Sequence, residues 1–130
     1  MTEEIWVLVD YRLRQADEAL ESAIADREAN RLGSAVNRAY YAMFYAALAL
    51  LASRQTGTSK HAAVIARVSQ LFIKDGPMPV RLGRIFNQAF DLRQKSDYRE
   101  LFTCSPQQAD ELIAGANQFV TEARQILHRD

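Results

Sequence analysis

A cation and an acid stand four residues apart in the stretch DLRQKSDYRE, residues 91–100. On a helix that turns about 100° per residue, Arg93 continues the line of Phe86 and so takes a core-facing position. Asp97 follows on nearly the same side, and Tyr98 comes next. Because a guanidinium can bind phosphate through two parallel hydrogen bonds, Arg93 is a candidate phosphate ligand that Asp97 would orient.

A structural role for the same pair stays open. An exposed ion pair with this spacing contributes only about 0.3–0.5 kcal/mol, and the cation standing before the acid is the less favourable order. An arginine in the last turn of a helix can also cap the final carbonyl groups. Arg93 is therefore either a site residue or a helix-end residue with a local partner.

A second cation interrupts the apolar segment AVNRAYYAMFYAALALLA. Tyr41 and Tyr45 follow Arg38 at helical spacing, so all three side chains can face the groove that holds Arg93. A buried arginine needs a partner, and Asp97 is a candidate. The tyrosine rings are predicted to pack in the core with their hydroxyls hydrogen-bonded.

Lys95 belongs to a face on which basic and acidic residues alternate. Such a face is ordinarily solvated, although a dimer could align two of them into a cationic cleft. Lys95 is therefore a candidate nucleic-acid contact, together with Arg38 and Arg93.

His61 stands at the start of the third helical segment. The positive end of the helix dipole disfavours a protonated imidazole there, and a neutral histidine can serve as a base or as a hydrogen-bonding group. The alternative is an exposed residue near the helix start. His128, near the C-terminus, is expected to face solvent, and Cys104 is expected to be an ordinary loop residue.

Several other chemistries lack the residues they need. The helices carry no Glu-x-x-His pairs for a di-metal site, no cysteine and histidine set with zinc spacing, and no glycine-rich phosphate loop. We therefore predict neither a metal nor a cofactor.

Composition sets the broad class of the protein. The 130 residues suit one domain spanning 1–130, and 16 basic residues balance 16 acidic ones, which argues against strong sequence-independent coating of nucleic acid. The single cysteine fits a reducing compartment. The acidic start MTEEIW does not resemble a signal peptide, and the longest apolar run, residues 39–52, is too short to cross a bilayer. We expect a cytoplasmic protein without membrane association.

Helical periodicity runs through the whole chain and predicts the elements that position these residues. Thr2 is predicted to cap the first helix, which NRLGS ends; the second spans about residues 33–53 and is the most buried. Thr58 or Ser59 is predicted to cap a third helix over residues 60–74. A fourth spans about 79–98, and Ser105 with Pro106 and Gln108 starts the last. Because the loops are short, the prediction is an all-α, antiparallel, up-and-down bundle of four to five helices. The residues predicted to be buried in the third helix are Val64, Val68, Leu71 and Phe72.

Three segments, in this order, resemble the HEPN superfamily: AVNRAYYAMFYAALALL (35–51), SKHAAV (59–64) and LRQKSDY (92–98). The likeness is closest to the small HEPN-only proteins encoded beside a minimal nucleotidyltransferase. It implies a helical bundle, a homodimer, and a role among ribonucleases or RNA-binding modules, several of which are toxins. In related pairs a tyrosine near the motif is adenylylated by the partner, which makes Tyr98 a candidate modification site.

One departure from the family pattern bears on catalysis. Ribonuclease-type members have a histidine after the motif arginine, with four to six residues between the two. Counted from Arg93, that histidine would stand at position 98, 99 or 100, where this chain has Tyr98, Arg99 and Glu100. The resemblance therefore implies an RNA- or nucleotide-binding protein of a toxin–antitoxin-like pair, with weak or absent ribonuclease activity. One alternative is a metal-independent ribonuclease that uses His61, with Arg93, Asp97 and Tyr98 as the other catalytic candidates. Another is a non-catalytic interaction module whose Arg93 and Asp97 organise a dimer or partner interface.

Overall fold

A computed structural model describes residues 2–96 and 104–128 of the chain. Every regular element in these two ranges is helical, so the predicted all-α bundle is confirmed. The elements are α1 (Glu3–Glu28), α2 (Leu32–Ser53), α3 (His61–Val68) with a π-helical turn directly after it (Ser69–Ile73), α4 (Val80–Ser96) and α5 (Pro106–Ile126). In the same ranges, none of the helices has the length and apolarity that a bilayer span requires.

Two helix starts follow the sequence signals. The Thr2 hydroxyl accepts a hydrogen bond from the backbone N–H of Ile5 at 3.4 Å. Ser105 accepts from the Gln108 backbone at 3.1 Å, and the Gln108 side chain accepts from the Ser105 backbone at 3.0 Å. This reciprocal arrangement satisfies two N–H groups that the first turn of α5 leaves without helical partners.

The third helix differs from its prediction at both ends. Lys60 precedes α3 as the N-cap without a side-chain cap, while Thr58 accepts a hydrogen bond from the Lys60 backbone at 3.2 Å. After Val68 the backbone widens, and the N–H of Lys74 bonds the carbonyl of Ser69 at 2.8 Å.

This π-helical turn explains an error in the predicted core. An i→i+5 turn holds more residues than an α-turn, so the angular spacing of the side chains changes from Ser69 onward. Leu71, predicted to be buried, is 36% exposed, while Ile73 is buried. Val64, Val68 and Phe72 are buried as predicted.

The central helix of the bundle is α2, which contacts α1, α3, α4 and α5. Its apolar residues surround the helix, as expected for a helix buried on all sides. Alanines make up most of the buried face of α1, where Ala16 and Ala23 have no exposed surface. These small side chains let the axes of α1 and α2 lie close together. The aromatic residues of α2 instead contact α3 and α4.

Candidate functional site

Arg93 lies on α4 against two aromatic rings of α2. Its guanidinium carbon is 5.6 Å from the ring centre of Tyr40 and 5.3 Å from that of Tyr41. The side chain is partly buried, and its Nε atom is shielded from solvent. A guanidinium at this distance from a ring is attracted by the negative π face, by about 0.5–2 kcal/mol depending on desolvation. The core-facing position read from the helical spacing thus places the cation on an aromatic surface.

Arg38 approaches the same surface from α2 itself. Its guanidinium carbon is 5.0 Å from the Tyr41 ring centre. Its Nε and Nη2 atoms both donate to the Asn37 side-chain oxygen, at 3.1 and 2.9 Å. The Tyr41 ring therefore contacts two guanidinium groups, one from α2 and one from α4.

His61, the first residue of α3, completes the group. The Tyr40 hydroxyl and His61 Nδ1 are 2.7 Å apart, a short hydrogen bond. The imidazole also stacks on Phe44, with 4.2 Å between ring centres and 18° between planes. We call this group the cationic aromatic cluster; its members are Arg38, Tyr40, Tyr41, His61 and Arg93.

The ionisation of the cluster follows from its surroundings. Burial lowers the pKa of His61 from its usual value, and the positive charge of Arg93 lowers it further. Burial strongly raises the pKa of Tyr40, and the nearby Arg93 offsets only part of that rise. At neutral pH the imidazole of His61 is therefore neutral and the phenol of Tyr40 is protonated, beside the guanidinium groups of Arg38 and Arg93.

The other predicted site residues divide into two groups. Asp97 and Tyr98 lie outside the described residues, so their part in the site stays a prediction. Lys95 is exposed and, in the described part of the chain, has neither a hydrogen bond nor an ion pair. Tyr45 is partly buried and contacts the Tyr41 ring at 5.8 Å between centres. Its ring therefore adjoins the cluster through Tyr41.

His128 and Cys104, for which no site role was predicted, lie outside the cluster. His128 is exposed, as expected, and lines a separate surface groove with Asp10 and Arg124. Cys104 is buried, and burial raises the pKa of its thiol, which keeps it in the less reactive protonated form. Within residues 2–96 and 104–128, no three His, Cys, Asp or Glu side chains gather closely enough to hold a metal ion.

Tyr40 and Phe44 were missed as site residues by the sequence reasoning. Both lie on a helix that is apolar nearly all round, where aromatic rings read as ordinary core. One signal could have found Tyr40: a phenol on a helix predicted to be buried nearly all round needs a hydrogen-bond partner, and His61 is the polar ring in the next helical segment. The i,i+4 spacing of Tyr40 and Phe44 places both rings on one face of α2, where His61 contacts them.

Fold and site together define an all-α bundle protein whose central helix carries aromatic rings contacted by two arginines and a histidine. Residues 9–126 match the HEPN domain family. The chain is 34% identical over 120 residues to a UPF0332 protein of Thermotoga maritima, covering 92% of this chain and 91% of that protein. Two proteins of Methanocaldococcus jannaschii are also similar. "Putative toxin MJ0605" is 35% identical and covers 96% of this chain and 90% of its own length. "Putative toxin MJ0142" is 28% identical, with coverages of 88% and 78%.

The protein therefore belongs to the HEPN family, as the three sequence segments indicated.

Proposed function

We propose that this HEPN protein binds RNA or a nucleotide through its cationic aromatic cluster and forms one half of a toxin–antitoxin-like pair. The observation that carries the proposal is the contact of two guanidinium groups with one partly exposed tyrosine ring beside a neutral imidazole. The second half would be a separately encoded nucleotidyltransferase. The names of the Methanocaldococcus jannaschii relatives support the toxin side of this assignment.

Phosphate binding is the chemistry that the cluster suits best. Arg93 is held by two rings and Arg38 by Asn37, so both guanidinium planes are restrained before a ligand arrives. Restraint lowers the entropy lost on binding, and guanidinium groups match phosphate oxygens in geometry. Asp97 would orient one of these arginines, and Lys95 would add a further cation at the rim.

Cleavage of RNA is the weaker part of the assignment. The family histidine is replaced in the motif, and His61 is the imidazole that the fold brings beside Arg93. Without a metal, cleavage needs a general base and a general acid around the 2′-hydroxyl and the leaving oxygen. We infer that binding dominates and that any ribonuclease activity is metal-independent and slow.

A second candidate function is a non-catalytic interaction module. The shielded Nε atom and the two ring contacts of Arg93 favour it, because they tie α4 to α2. In this version Arg93 and Asp97 shape the surface on which a homodimer or a partner protein assembles. Loss of Arg93 would then disturb assembly and leave RNA affinity unchanged.

The test compares Arg93→Ala and Arg93→Lys with Arg84→Ala, which removes an exposed cation from the same helix. Affinity for a labelled single-stranded RNA is measured at several salt concentrations, with cleavage followed in the same samples and oligomeric size by gel filtration. Charge-assisted hydrogen bonds contribute about 1.5–3 kcal/mol, so Arg93→Ala should weaken binding roughly 10- to 150-fold. Lysine keeps the charge and loses the paired hydrogen bonds, so Arg93→Lys should fall between.

The possible outcomes separate the two functions. Arg84→Ala should keep its affinity within about twofold, since one exposed charge contributes little at physiological salt. If Arg93→Ala binds RNA as Arg84→Ala does and elutes at a changed size, the interaction module is the better assignment.

The partner and the modification are tested by co-expression with a nucleotidyltransferase. We expect the two proteins to copurify, and Tyr98 to carry one or more added nucleotides by mass spectrometry. A Tyr98→Phe variant is the control for the site. An unmodified mass in the presence of active partner would exclude Tyr98 as its target.

A further inference from the structure

The hydroxyl of Tyr40 has a single possible destination for its proton in the described part of the chain. Tyr40 has no exposed surface, so water cannot accept that proton. Across residues 2–96 and 104–128, its one hydrogen-bond partner is Nδ1 of His61, at 2.7 Å. A buried donor left without an acceptor is costly, which decides between the two ways of drawing this bond.

The first way has Nδ1–H donating to the phenol oxygen. The hydroxyl proton of Tyr40 would then lie in the core without an acceptor. The second way has the hydroxyl donating to a lone pair on Nδ1. This satisfies both groups, and it requires a neutral imidazole that carries its proton on Nε2. The low pKa of His61 agrees with the neutral form, since burial and Arg93 both oppose a cation there.

The opposite nitrogen of the ring is left for a ligand. Stacking on Phe44 and the bond to Tyr40 fix the plane and the rotation of the imidazole. His61 is partly exposed, and no side chain among the described residues hydrogen-bonds its Nε2. Its ring and the guanidinium of Arg93 both border Tyr41, at 5.9 and 5.3 Å. The charge of Arg93 also acts on the ionisation of His61, so the two groups lie within electrostatic reach of each other, and one phosphodiester bound to Arg93 can approach the imidazole.

We propose that Tyr40 is a positioning residue that holds His61 in its Nε2–H tautomer, so that His61 donates a hydrogen bond to a phosphodiester oxygen bound by Arg93. In this state His61 has no free lone pair and does not act as a base. The phosphate contact rests on the proposed function; the tautomer does not, because it follows from the ligand-free protein.

Nitrogen NMR on the ligand-free full chain tests the tautomer first. Long-range ¹H–¹⁵N correlations distinguish a ring nitrogen with a proton from one without. The chain has two histidines, and exposed His128 serves as the internal reference. At neutral pH we expect His61 to show Nδ1 unprotonated and Nε2 protonated, and Tyr40→Phe to shift the Nδ1 resonance. A proton on Nδ1 in the wild type would overturn the proposal without any need for the variant.

Two amide substitutions then test the donor. In His61→Gln the amide nitrogen can reach the position of Nε2, whereas in His61→Asn it reaches only that of Nδ1. A single hydrogen bond changes affinity by roughly 2- to 13-fold, so RNA binding to His61→Gln should be several-fold tighter than to His61→Asn. Equal losses in two folded variants would refute the donor role.

Failure of the proposed function looks different. If wild type and Arg93→Ala both fail to bind RNA, the phosphate contact is wrong. The NMR experiment still decides the tautomer of His61, because it uses the ligand-free protein. If RNA is bound and His61→Gln shows no advantage, the function survives and the role of His61 is rejected.

Discussion

A methyl group added at Gly115 should destabilise the bundle, although alanine is the better helix former. A Cβ atom at this position of α5 would lie 2.6 Å from Cγ2 and 3.1 Å from Cδ1 of Ile85 on α4. Cγ2 is bonded directly to the branched Cβ, and one χ1 rotamer dominates for isoleucine in a helix. Relief therefore requires an unfavourable rotamer or a movement of α4, the helix that carries Arg93.

The magnitude comes from two opposing contributions. Replacing glycine by alanine inside a helix stabilises it by about 1 kcal/mol, and overpacking a filled contact costs about 1–3 kcal/mol. We expect Gly115→Ala to lose about 1 kcal/mol. At Gly83 the new Cβ would meet only the terminal Cδ1 of Ile73 closely, at 2.8 Å, so the two contributions should nearly cancel. Gly33 has no atom within 4 Å, and its substitution should be stabilising by up to about 1 kcal/mol.

Urea unfolding followed by circular dichroism measures all three variants. The order of stability should be Gly33→Ala above Gly83→Ala above Gly115→Ala, with an unchanged dependence on urea concentration. The matched substitutions cancel the helix-propensity gain, so the spread of about 2 kcal/mol reports packing. If Gly115→Ala is as stable as Gly33→Ala, α4 and α5 are not in the close contact described.

Three further changes test other parts of the structure. Ser105→Ala removes the cap of α5 and should cost about 1 kcal/mol in urea unfolding. The lowered pKa of His61 means that the unfolded chain binds a proton more readily than the folded one. The free energy of unfolding should therefore fall as pH drops below about 6.5 and level off once folded His61 also titrates. Asp17→Asn breaks the ion pair between Asp17 and Arg124, whose side chains are 42% and 43% exposed, respectively. This change should lower the free energy of unfolding by less than about 1 kcal/mol.

Each of these has its own control. Ser34→Ala alters an exposed serine of α2 and should change the free energy of unfolding by no more than about 0.5 kcal/mol. An equal loss in Ser34→Ala and Ser105→Ala would show that the Ser105 cap does not stabilise α5. His61→Gln should remove the part of the pH dependence near pH 6.5, and an unaltered profile would assign that part to another group. The effect of Asp17→Asn should shrink in 1 M salt, and a salt-independent loss would indicate disrupted packing instead of an ion pair.

Local signals predicted much of the fold and placed some residues of the candidate site. The start of α5 was predicted correctly because serine, proline and glutamine each suit a particular position of a helix start. Arg93 was found because a cation broke an apolar stripe. The pairing of Tyr40 with His61 was not, since they are 21 residues apart and meet only where α3 docks on α2. The π-helical turn over Ser69–Ile73 was likewise not predicted, because helical periodicity does not distinguish one wider turn from an α-helical turn.

The central position of α2 also determines which parts of the cluster can adjust. A helix enclosed by the other four helices opens only when most of the bundle opens with it, so its amide hydrogens should exchange at the slowest rates in the protein. Tyr40, Tyr41 and Phe44 are attached to this slowly exchanging helix and so form a fixed platform. A ligand arriving at the cluster would meet the His61 and Arg93 side chains already held against this platform, so any adjustment falls to α3 and α4, the helices that carry them.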